Sequence, residues 1–170
     1  FPVEVDTVVP GLLCFDTTWQ ELVLVNRLTG KLAWRQTLDE PVTGEPLIPG
    51  QQIYLPTQGN HLYKIEVESG TATARLTFSQ PVYSPPALTR DQQHMVIAGD
   101  EAVCYSVGTR ELECEHVSFI GQRPGTIDVP LQSMGELVLM VENDRTDSAH
   151  LRVLDASAAG SGVTERGSVR

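Results

Sequence analysis

The chain has 170 residues, 41% of them hydrophobic and 20% charged, a composition typical of a folded globular protein that excludes a disordered polymer. Its 12 Lys and Arg residues against 22 Asp and Glu residues leave a formal charge of −10, which argues against general electrostatic binding to nucleic acid or to an anionic membrane surface. Apolar runs such as Leu22–Val25 and Leu137–Val141 are far shorter than the roughly 18–20 residues that cross a bilayer, so no membrane insertion is predicted.

The chain begins FPVEVDTVVPGLLCFD, which contains two short strand-like runs. It has neither an initiator Met nor the basic segment of a signal peptide, so we expect the sequence to be part of a longer protein. Here and further on, runs rich in Val, Ile, Leu, Thr and Tyr alternate with clusters of Gly, Pro, Asn, Asp and Ser, and none has a convincing 3.6-residue period. This pattern predicts an all-β fold.

The next segment, LVLVNRLTGKLAWRQT at 22–37, predicts a β-hairpin. Its two strands would be Leu22–Leu28 and Lys31–Thr37, joined by a turn at Thr29-Gly30. Gly30 can adopt the positive φ that a tight hairpin turn requires.

This hairpin recurs along the chain. A shift of 40 residues gives LYKIEVESGTATARLTF at 62–78, where Ser69-Gly70 falls in the place of Thr29-Gly30. A second shift of 40 gives AVCYSVGTRELECEHVSF at 102–119, with Thr109-Arg110 in that register. A last copy, LRVLDASAAGSGV, begins at Leu151. The hairpin is therefore interpreted as a repeat.

The segments between the hairpins repeat as well. Each contains a Pro-bearing run, PVTGEPLI, PVYSPPAL or PGTIDVPL, followed by an apolar strand, QIYLP, HMVIA or ELVLMV. Four short antiparallel strands in about 40 residues predict the blades of a β-propeller. A β-sandwich also uses short strands, but it does not predict a 40-residue repeat. We expect propeller blades over residues 1–156, as units of approximately 1–38, 39–79, 80–121 and 122–170, with 157–170 as a flexible last turn or tail.

The motif residues Thr29, Gly30, Lys31 and Trp34, with Asn26 before them, resemble the "aLDxxTGxxxW" blade hairpin of the pyrroloquinoline-quinone-like repeat superfamily. The second copy keeps Ser69 and Gly70 as repeat-motif structural residues, whereas Ala74 and Cys114 stand at the predicted place of Trp34. The superfamily includes quinoprotein alcohol dehydrogenases and an outer-membrane lipoprotein of the barrel-assembly machinery. The resemblance implies a ring of about seven or eight blades, of which this chain supplies about four, and a periplasmic or extracellular location.

No catalytic or cofactor-binding residue is predicted. The quinone site that the resemblance implies for the dehydrogenases uses adjacent cysteines, and this chain has no such pair. Trp34 is interpreted as a packing residue, and Trp19 is expected at a loop or an interface. The four histidines lack the spacing of a metal site, so no metal is predicted.

Cys104 and Cys114 are placed symmetrically about residue 109, where the third hairpin is predicted to turn. A cross-strand disulfide is one prediction for them, provided that the register brings their Cα atoms within about 7 Å. Buried free thiols are the alternative, and the sequence leaves both open.

The segment between the last two apolar strands is longer than its counterpart in the second unit. Its residues Glu142, Asn143, Asp144, Arg145 and Asp147 offer many oxygen atoms but lack the spacing of a calcium loop. Because binding residues concentrate on loops held by a rigid scaffold, this segment is the predicted partner-binding loop.

These observations predict a noncatalytic module that serves as a scaffold for an unidentified protein partner. The alternatives are a fragment of a quinoprotein dehydrogenase whose cofactor site lies elsewhere, and a ligand-sensing propeller of a larger receptor or kinase. Four blades in an open half-ring would expose the apolar faces of the two end blades. We therefore expect the chain to be part of a larger ring, or to associate with a second copy through its open blades.

Overall fold

A computed structural model describes residues 2–5, 10–143 and 148–169. They form four consecutive antiparallel sheets, each a simple meander. Sheet 1 consists of β1 (Pro2–Val5), β2 (Gly11–Asp16), β3 (Glu21–Asn26) and β4 (Leu32–Thr37). Sheet 2 consists of β5 (Gln52–Thr57), β6 (His61–Glu66) and β7 (Ala72–Thr77). Sheet 3 consists of β8 (Ala87–Leu88), β9 (His94–Ala98), β10 (Val103–Gly108) and β11 (Cys114–Phe119). Sheet 4 consists of β12 (Gln132–Met134), β13 (Leu137–Asn143), β14 (Ala149–Asp155) and β15 (Thr164–Val169), with a short 3-10 helix, Ala159–Ser161, before β15.

Sheet 2 has three strands where four were expected. The Pro-bearing segment 41–48 makes two isolated antiparallel bridges to β5, Val42 with Thr57 and Leu47 with Tyr54. Pro41 and Pro46 have no N–H to donate, so a continuous ladder cannot form here.

The last residues form a strand where a flexible tail was expected. Thr164–Val169 is β15, and it pairs with β14 from Asp155 back to Leu151. This strand was not predicted because TERGSV lacks the alternation of apolar and polar residues. All six residues are exposed, and such a polar composition is common in edge strands.

The hydrophobic core lies between consecutive sheets. In β5, Ile53 and Leu55 pack against sheet 1, whereas Tyr54 faces sheet 3. This alternation follows from the two-residue period of a strand, and it buries both faces of sheets 2 and 3. Sheets 1 and 4 are buried on one face only.

The Pro-bearing segments that precede the first strands of sheets 2, 3 and 4 are joined by hydrogen bonds from side chains to carbonyl groups. The hydroxyl of Thr43 donates to the carbonyl of Val82 at 2.9 Å, and the hydroxyl of Ser84 donates to that of Val129 at 3.2 Å. These bonds hold the inner edges of the sheets side by side while the sheets stack face to face. The result is the radial arrangement predicted for propeller blades. No described helix is long and apolar enough to cross a membrane.

The third hairpin is displaced by two residues from the predicted register. In sheet 1, Trp34 pairs with Leu24 across the last two strands. The residue at the position of Trp34 is Ala74 in sheet 2 and His116, paired with Ser106, in sheet 3. Cys114 was predicted there, but it corresponds to Leu32, because Cys114 pairs with Val107 as Leu32 pairs with Val25. The sequence comparison at a fixed 40-residue shift missed the two extra residues before this hairpin.

With the corrected register, Glu111-Leu112 replaces Thr109-Arg110 as the counterpart of Thr29-Gly30. Leu112 has a φ of 57°, close to the 69° of Gly30 and the 72° of Gly70. A left-handed conformation costs a residue with a side chain about 1–2 kcal/mol. Leu112 is buried in the core between sheets 2 and 3, and this burial offsets the cost.

Candidate interaction surface

One edge of the sheets carries the turns that join β2 to β3, β5 to β6 and β9 to β10. The connections that follow β4, β7 and β11 start at the same edge. We call these residues the turn edge; they are 17–20, 38–43, 58–60, 78–83, 99–102 and 120–129.

The same backbone hydrogen bond fixes each connection to the turn of the following sheet. Gln58 N donates to the carbonyl of Pro41 at 2.9 Å, and Asp100 N donates to that of Pro81 at 3.0 Å. In sheet 4, Asn143 N donates to the carbonyl of Thr126 at 2.9 Å. The turn edge is therefore a rigid surface made of loops.

Side chains reinforce two of these junctions. Gln80 makes a reciprocal pair with the backbone of Glu101, donating to its carbonyl at 3.0 Å and accepting from its N–H at 2.6 Å. Glu40 contacts Nδ1 of His61 and accepts a hydrogen bond from the hydroxyl of Tyr63 at 3.3 Å. Burial opposes ionisation of Glu40, but its hydrogen bonds to His61 and Thr57 outweigh that effect and lower its pKa.

Glu142 ties sheet 4 to the end of sheet 3. Its Oε2 accepts hydrogen bonds from Nη2 of Arg152 at 2.8 Å and Nε at 3.0 Å, and its Oε1 accepts one from the backbone N–H of Arg123 at 3.0 Å. Arg152 also donates to the carbonyl of Ile120 at 3.2 Å and to Glu165 at 2.8 Å. Burial alone would raise the pKa of Glu142, but the Arg123 N–H and the Arg152 guanidinium outweigh it and hold the pKa low.

The structure therefore changes the interpretation of the predicted partner-binding loop. Glu142 lies in β13 with a side chain only 3% exposed, so it is an internal anchor and cannot contact a partner. Asn143 ends the same strand, and its amide donates to Asp128. Asp144, Arg145 and Asp147 lie outside the described residues.

Two aromatic side chains are exposed at the turn edge. Trp19 is 73% exposed in the β2–β3 turn, where the carboxylate of Asp16 accepts the N–H of Thr18 at 2.8 Å and that of Trp19 at 3.3 Å. Tyr83 is 50% exposed, between Val82 and Ser84, which both belong to the hydrogen bonds that join the inner edges of the sheets. Sequence reasoning placed Trp19 at a loop or an interface and missed Tyr83. The signal for Tyr83 was an aromatic residue within a Pro-bearing run of the repeat.

The repeat-motif residues build the opposite edge of the sheets. The side chain of Asn26 accepts the N–H of Leu28 at 3.0 Å and that of Thr29 at 2.9 Å, and its backbone N–H donates to the carbonyl of Lys31 at 2.8 Å. In sheet 2, the hydroxyl of Ser69 accepts the N–H of Thr71 at 3.1 Å.

These hairpins also contact the next sheet through one recurring pair. Trp34 donates from Nε1 to the carbonyl of Val67 at 2.7 Å, and its ring covers Gly70. The counterpart of Trp34 in sheet 3, His116, covers Gly162 in the same manner. Between sheets 2 and 3 the large and the small residue exchange positions. The small Ala74 stands at the position of Trp34, and it packs against the core that contains Leu112, which stands at the position of Gly70.

The predicted disulfide is not formed. Cys104 pairs with Ser118 and Cys114 with Val107, so the two cysteines are not cross-strand neighbours. Cys14, Cys104 and Cys114 are free thiols, with Cys104 buried and Cys114 exposed. Burial raises the pKa of Cys104 to about 12, which makes it unreactive.

Within the described ranges, no group of three or more His, Cys, Asp or Glu side chains could hold a metal ion. An open cavity of about 350 Å³ lies at the edge opposite the turn edge, between sheets 3 and 4. It is lined by Thr89, Arg90, Asp91, Glu136, Ala156 and Ser157. Thr89 donates its hydroxyl to Asp91 at 2.7 Å, and the same oxygen accepts the backbone N–H of His94 at 3.1 Å.

A model of the family described as outer membrane protein assembly factor BamB matches residues 4–110. The crystal structure of BamB from Moraxella catarrhalis superposes with a TM-score of 0.71 at 15% identity, over 98% of this chain and 50% of that chain. The structure of Sqt1 from Saccharomyces cerevisiae superposes with a TM-score of 0.75 at 12% identity, over 94% of this chain and 45% of that chain. No curated protein sequence matches.

The chain thus spans about half the length of either solved structure. Both are β-propellers, and at these identities the likeness bears on the fold alone. The prediction of an all-β propeller with four antiparallel blades is confirmed, and the four sheets do not close into a ring. The resemblance to the quinone-like repeat superfamily is confirmed by the family match.

Proposed function

Since the chain belongs to the family of outer membrane protein assembly factor BamB, we propose that it is a noncatalytic β-propeller module that binds another protein through the turn edge. The family description, which names outer membrane protein assembly, supports the further proposal of a periplasmic or extracellular location. The proposal concerns a scaffold, whose task is to hold a contact surface in one shape.

The observation that carries this proposal is the exposure of Trp19 and Tyr83 on a rigid edge. Both are large aromatic residues, a class enriched among the residues that dominate binding energy in protein interfaces. The hydrogen bonds of Asp16 and Ser84 fix the backbone beside them. A partner would therefore bind without the free-energy cost of ordering these loops.

The charge of the turn edge indicates the chemistry of the partner. Asp39, Glu101 and Asp128 are exposed carboxylates of the turn edge, and the exposed carboxylate of Asp16 lies beside it at the end of β2. A complementary surface would carry Lys or Arg around an apolar centre that accepts the two aromatic rings. Such a charge pattern accelerates association and makes its rate depend on salt.

Site-specific photo-cross-linking in cells tests the proposal. A photoreactive residue at position 19 and one at position 83 should capture the same protein, whereas one at exposed Thr73 on β7 should not. Trp19→Ala in the chain labelled at position 83 should reduce that adduct at least about tenfold, the loss expected for a dominant interface residue. Equal capture from all three positions, or different proteins from positions 19 and 83, would remove the turn edge as the binding surface.

A further inference from the structure

The last strand of each sheet pairs on one side only with another described strand; these outer strands are β4, β7, β11 and β15. The open side of an outer strand presents backbone N–H and C=O groups to which another chain can bond. Proteins commonly protect such edges with charged side chains. The outer strands of this chain differ in that protection.

The backbone hydrogen bonds of β11 show which of its residues point their polar groups away from the sheet. Ile120 N donates to the carbonyl of Ala102 at 2.7 Å, which is an inward bond to the neighbouring strand. Because inward and outward residues alternate along an antiparallel strand, the N–H and C=O groups of Val117 and Phe119 point outward. Among the described strands β11 pairs only with β10, so these groups have no strand partner.

The same two positions are protected in the first two sheets. By the same alternation, the outward residues are Arg35 and Thr37 on β4, and Arg75 and Thr77 on β7. An arginine at this place discourages another strand from pairing with the edge. In sheet 3 a valine and a phenylalanine stand there, so of these three edges only that of β11 lacks the protection.

Val117 and Phe119 also form an apolar strip beside the open edge, with exposures of 49% and 80%. They lie on the face of sheet 3 that carries their cross-strand partners Tyr105 and Val103, and this face packs against sheet 2. Leu76 of β7 contributes to the same core from sheet 2 and is only partly buried. Every second side chain of an added strand would therefore meet apolar surface in the cleft between sheets 2 and 3.

The hairpin that leads into β11 is acidic. Glu111, Glu113 and Glu115 are exposed there, against the exposed guanidinium of Arg110. We call these four residues the acidic hairpin. A lysine or arginine at the nearby end of an added strand would be attracted to them.

We propose that β11 binds an extended segment of a partner protein, which adds a fifth strand to sheet 3. The backbone groups of Val117 and Phe119 bond to this segment, as in other cases of strand addition to a sheet edge. The segment carries apolar residues at alternate positions and a Lys or Arg beside the acidic hairpin. A sheet packed on the uncovered face of sheet 1 or sheet 4 would leave this edge open.

This inference goes beyond the proposed function, because no residue of the turn edge takes part in it. The two surfaces are tested by different variants, so the failure of one proposal does not decide the other.

Peptide binding followed by NMR on the 170-residue chain tests the inference. The probe is the end-blocked peptide Lys-Thr-Val-Thr-Val-Thr-Lys, whose two valines would lie opposite Val117 and Phe119. Its dissociation constant should be below about 1 mM. At saturation the amide hydrogens of Val117 and Phe119 should exchange with water at least about tenfold more slowly, whereas those of Arg75 and Thr77 should not change. Amides of Val117 and Phe119 that were protected without the peptide, or unprotected with it, would overturn the inference.

N-methylation of the probe separates strand pairing from contact through side chains. Methyl groups on both valine nitrogens remove the two N–H donors that would face β11, and they should weaken binding at least about tenfold. Methyl groups on two threonine nitrogens, which face away from β11, should have little effect. Equal affinity of the two methylated peptides would contradict strand addition.

Substitution at the edge provides an independent measurement. Val117→Arg combined with Phe119→Thr copies the outward residues of β4 and β7, and it should weaken binding of the probe at least about tenfold. Leu32→Arg is the matched control, because Leu32 is an apolar residue of 48% exposure on the outer strand of sheet 1, and this variant should bind as the wild type does. Unchanged affinity in the double variant, or the same loss in the control, would remove β11 as the binding edge.

Discussion

The indole ring of Trp34 lies so close over Gly70 that a Cβ atom on Gly70 would stand 2.5 Å from it. Gly70 also has a φ of 72°, a conformation that residues with side chains rarely adopt. Two independent restraints therefore act on one glycine. Gly30 occupies the same turn position in sheet 1 with a φ of 69° and no neighbour within 4 Å of its Cβ site, so it carries only one of them.

This pair allows steric and backbone effects to be separated. Gly70→Ala should destabilise the protein by about 2–4 kcal/mol, the sum of left-handed strain and overpacking against Trp34. Gly30→Ala should cost about 1 kcal/mol, from backbone strain alone. Urea denaturation at one protein concentration measures both free energies of unfolding. Equal losses would show that the contact with Trp34 contributes nothing.

The hydrogen bond from Trp34 Nε1 to the carbonyl of Val67 can be removed while an aromatic ring is kept at position 34. Trp34→Phe should lower the free energy of unfolding by about 1–3 kcal/mol, because it leaves a buried carbonyl without its donor and removes part of the ring. Trp19→Phe, at an exposed turn, should change stability by less than about 0.5 kcal/mol. Thermal and urea unfolding of the two variants should agree on this order.

The buried Glu142–Arg152 pair should make stability depend on pH. The pKa of Glu142 is below its ordinary value of 4.5 in the folded protein, so its contribution is complete above the unfolded pKa and is lost as the pH falls through the folded pKa. Glu142→Gln should cost about 2–4 kcal/mol at pH 7, and the difference from wild type should shrink as the pH falls below the ordinary pKa of 4.5. Urea titrations at several pH values measure it.

Glu4→Gln is the matched surface substitution for Glu142→Gln. The Glu4–Arg27 ion pair is largely exposed, with side-chain exposures of 68% and 43%. Its loss should cost less than about 1 kcal/mol at any pH. If both variants lost the same stability with the same pH profile, the buried pair would have no special role.

The three thiols should differ in reactivity. Burial raises the pKa of the Cys104 thiol to about 12, so at pH 8 this residue should not react with a maleimide in the folded protein. Cys114 is exposed and should react, although burial of part of its side chain and the nearby Glu115 carboxylate raise its pKa and slow the reaction. Peptide mapping after brief labelling measures this, and all three should react in urea. Labelling of Cys104 at the rate of Cys114 would contradict the packing of sheets 3 and 4.

The propeller fold could be predicted from the sequence because its signals are local. The turn at Thr29-Gly30 and its echo at Ser69-Gly70 mark equivalent hairpins without any knowledge of tertiary contacts. The third hairpin was predicted with its turn two residues too early, because Leu112 carries the positive φ of the actual turn, and only burial between two sheets makes a leucine tolerable in that place. A sequence pattern that requires glycine cannot find it.

The site was less accessible to sequence reasoning, since it depends on which side chains the sheets cover. Glu142 was grouped with its polar neighbours, but alternation along β13 turns it inward to Arg152. Tyr83 becomes notable only when the lateral hydrogen bonds of Val82 and Ser84 place it at an exposed edge. Both results come from contacts between residues more than nine positions apart.

The exchange of large and small residues at successive sheet contacts restricts how the chain can misfold. If sheet 1 docked on sheet 3, Trp34 would meet Leu112 and the two bulky side chains would compete for one space. If sheet 2 docked on sheet 4, Ala74 would meet Gly162 and leave a void. Blades with similar backbones are prone to wrong pairings during folding. The residue sizes therefore specify which sheet packs on which. Although the four repeats have similar backbones, a chain with its repeats in a different order should not pack in the same way.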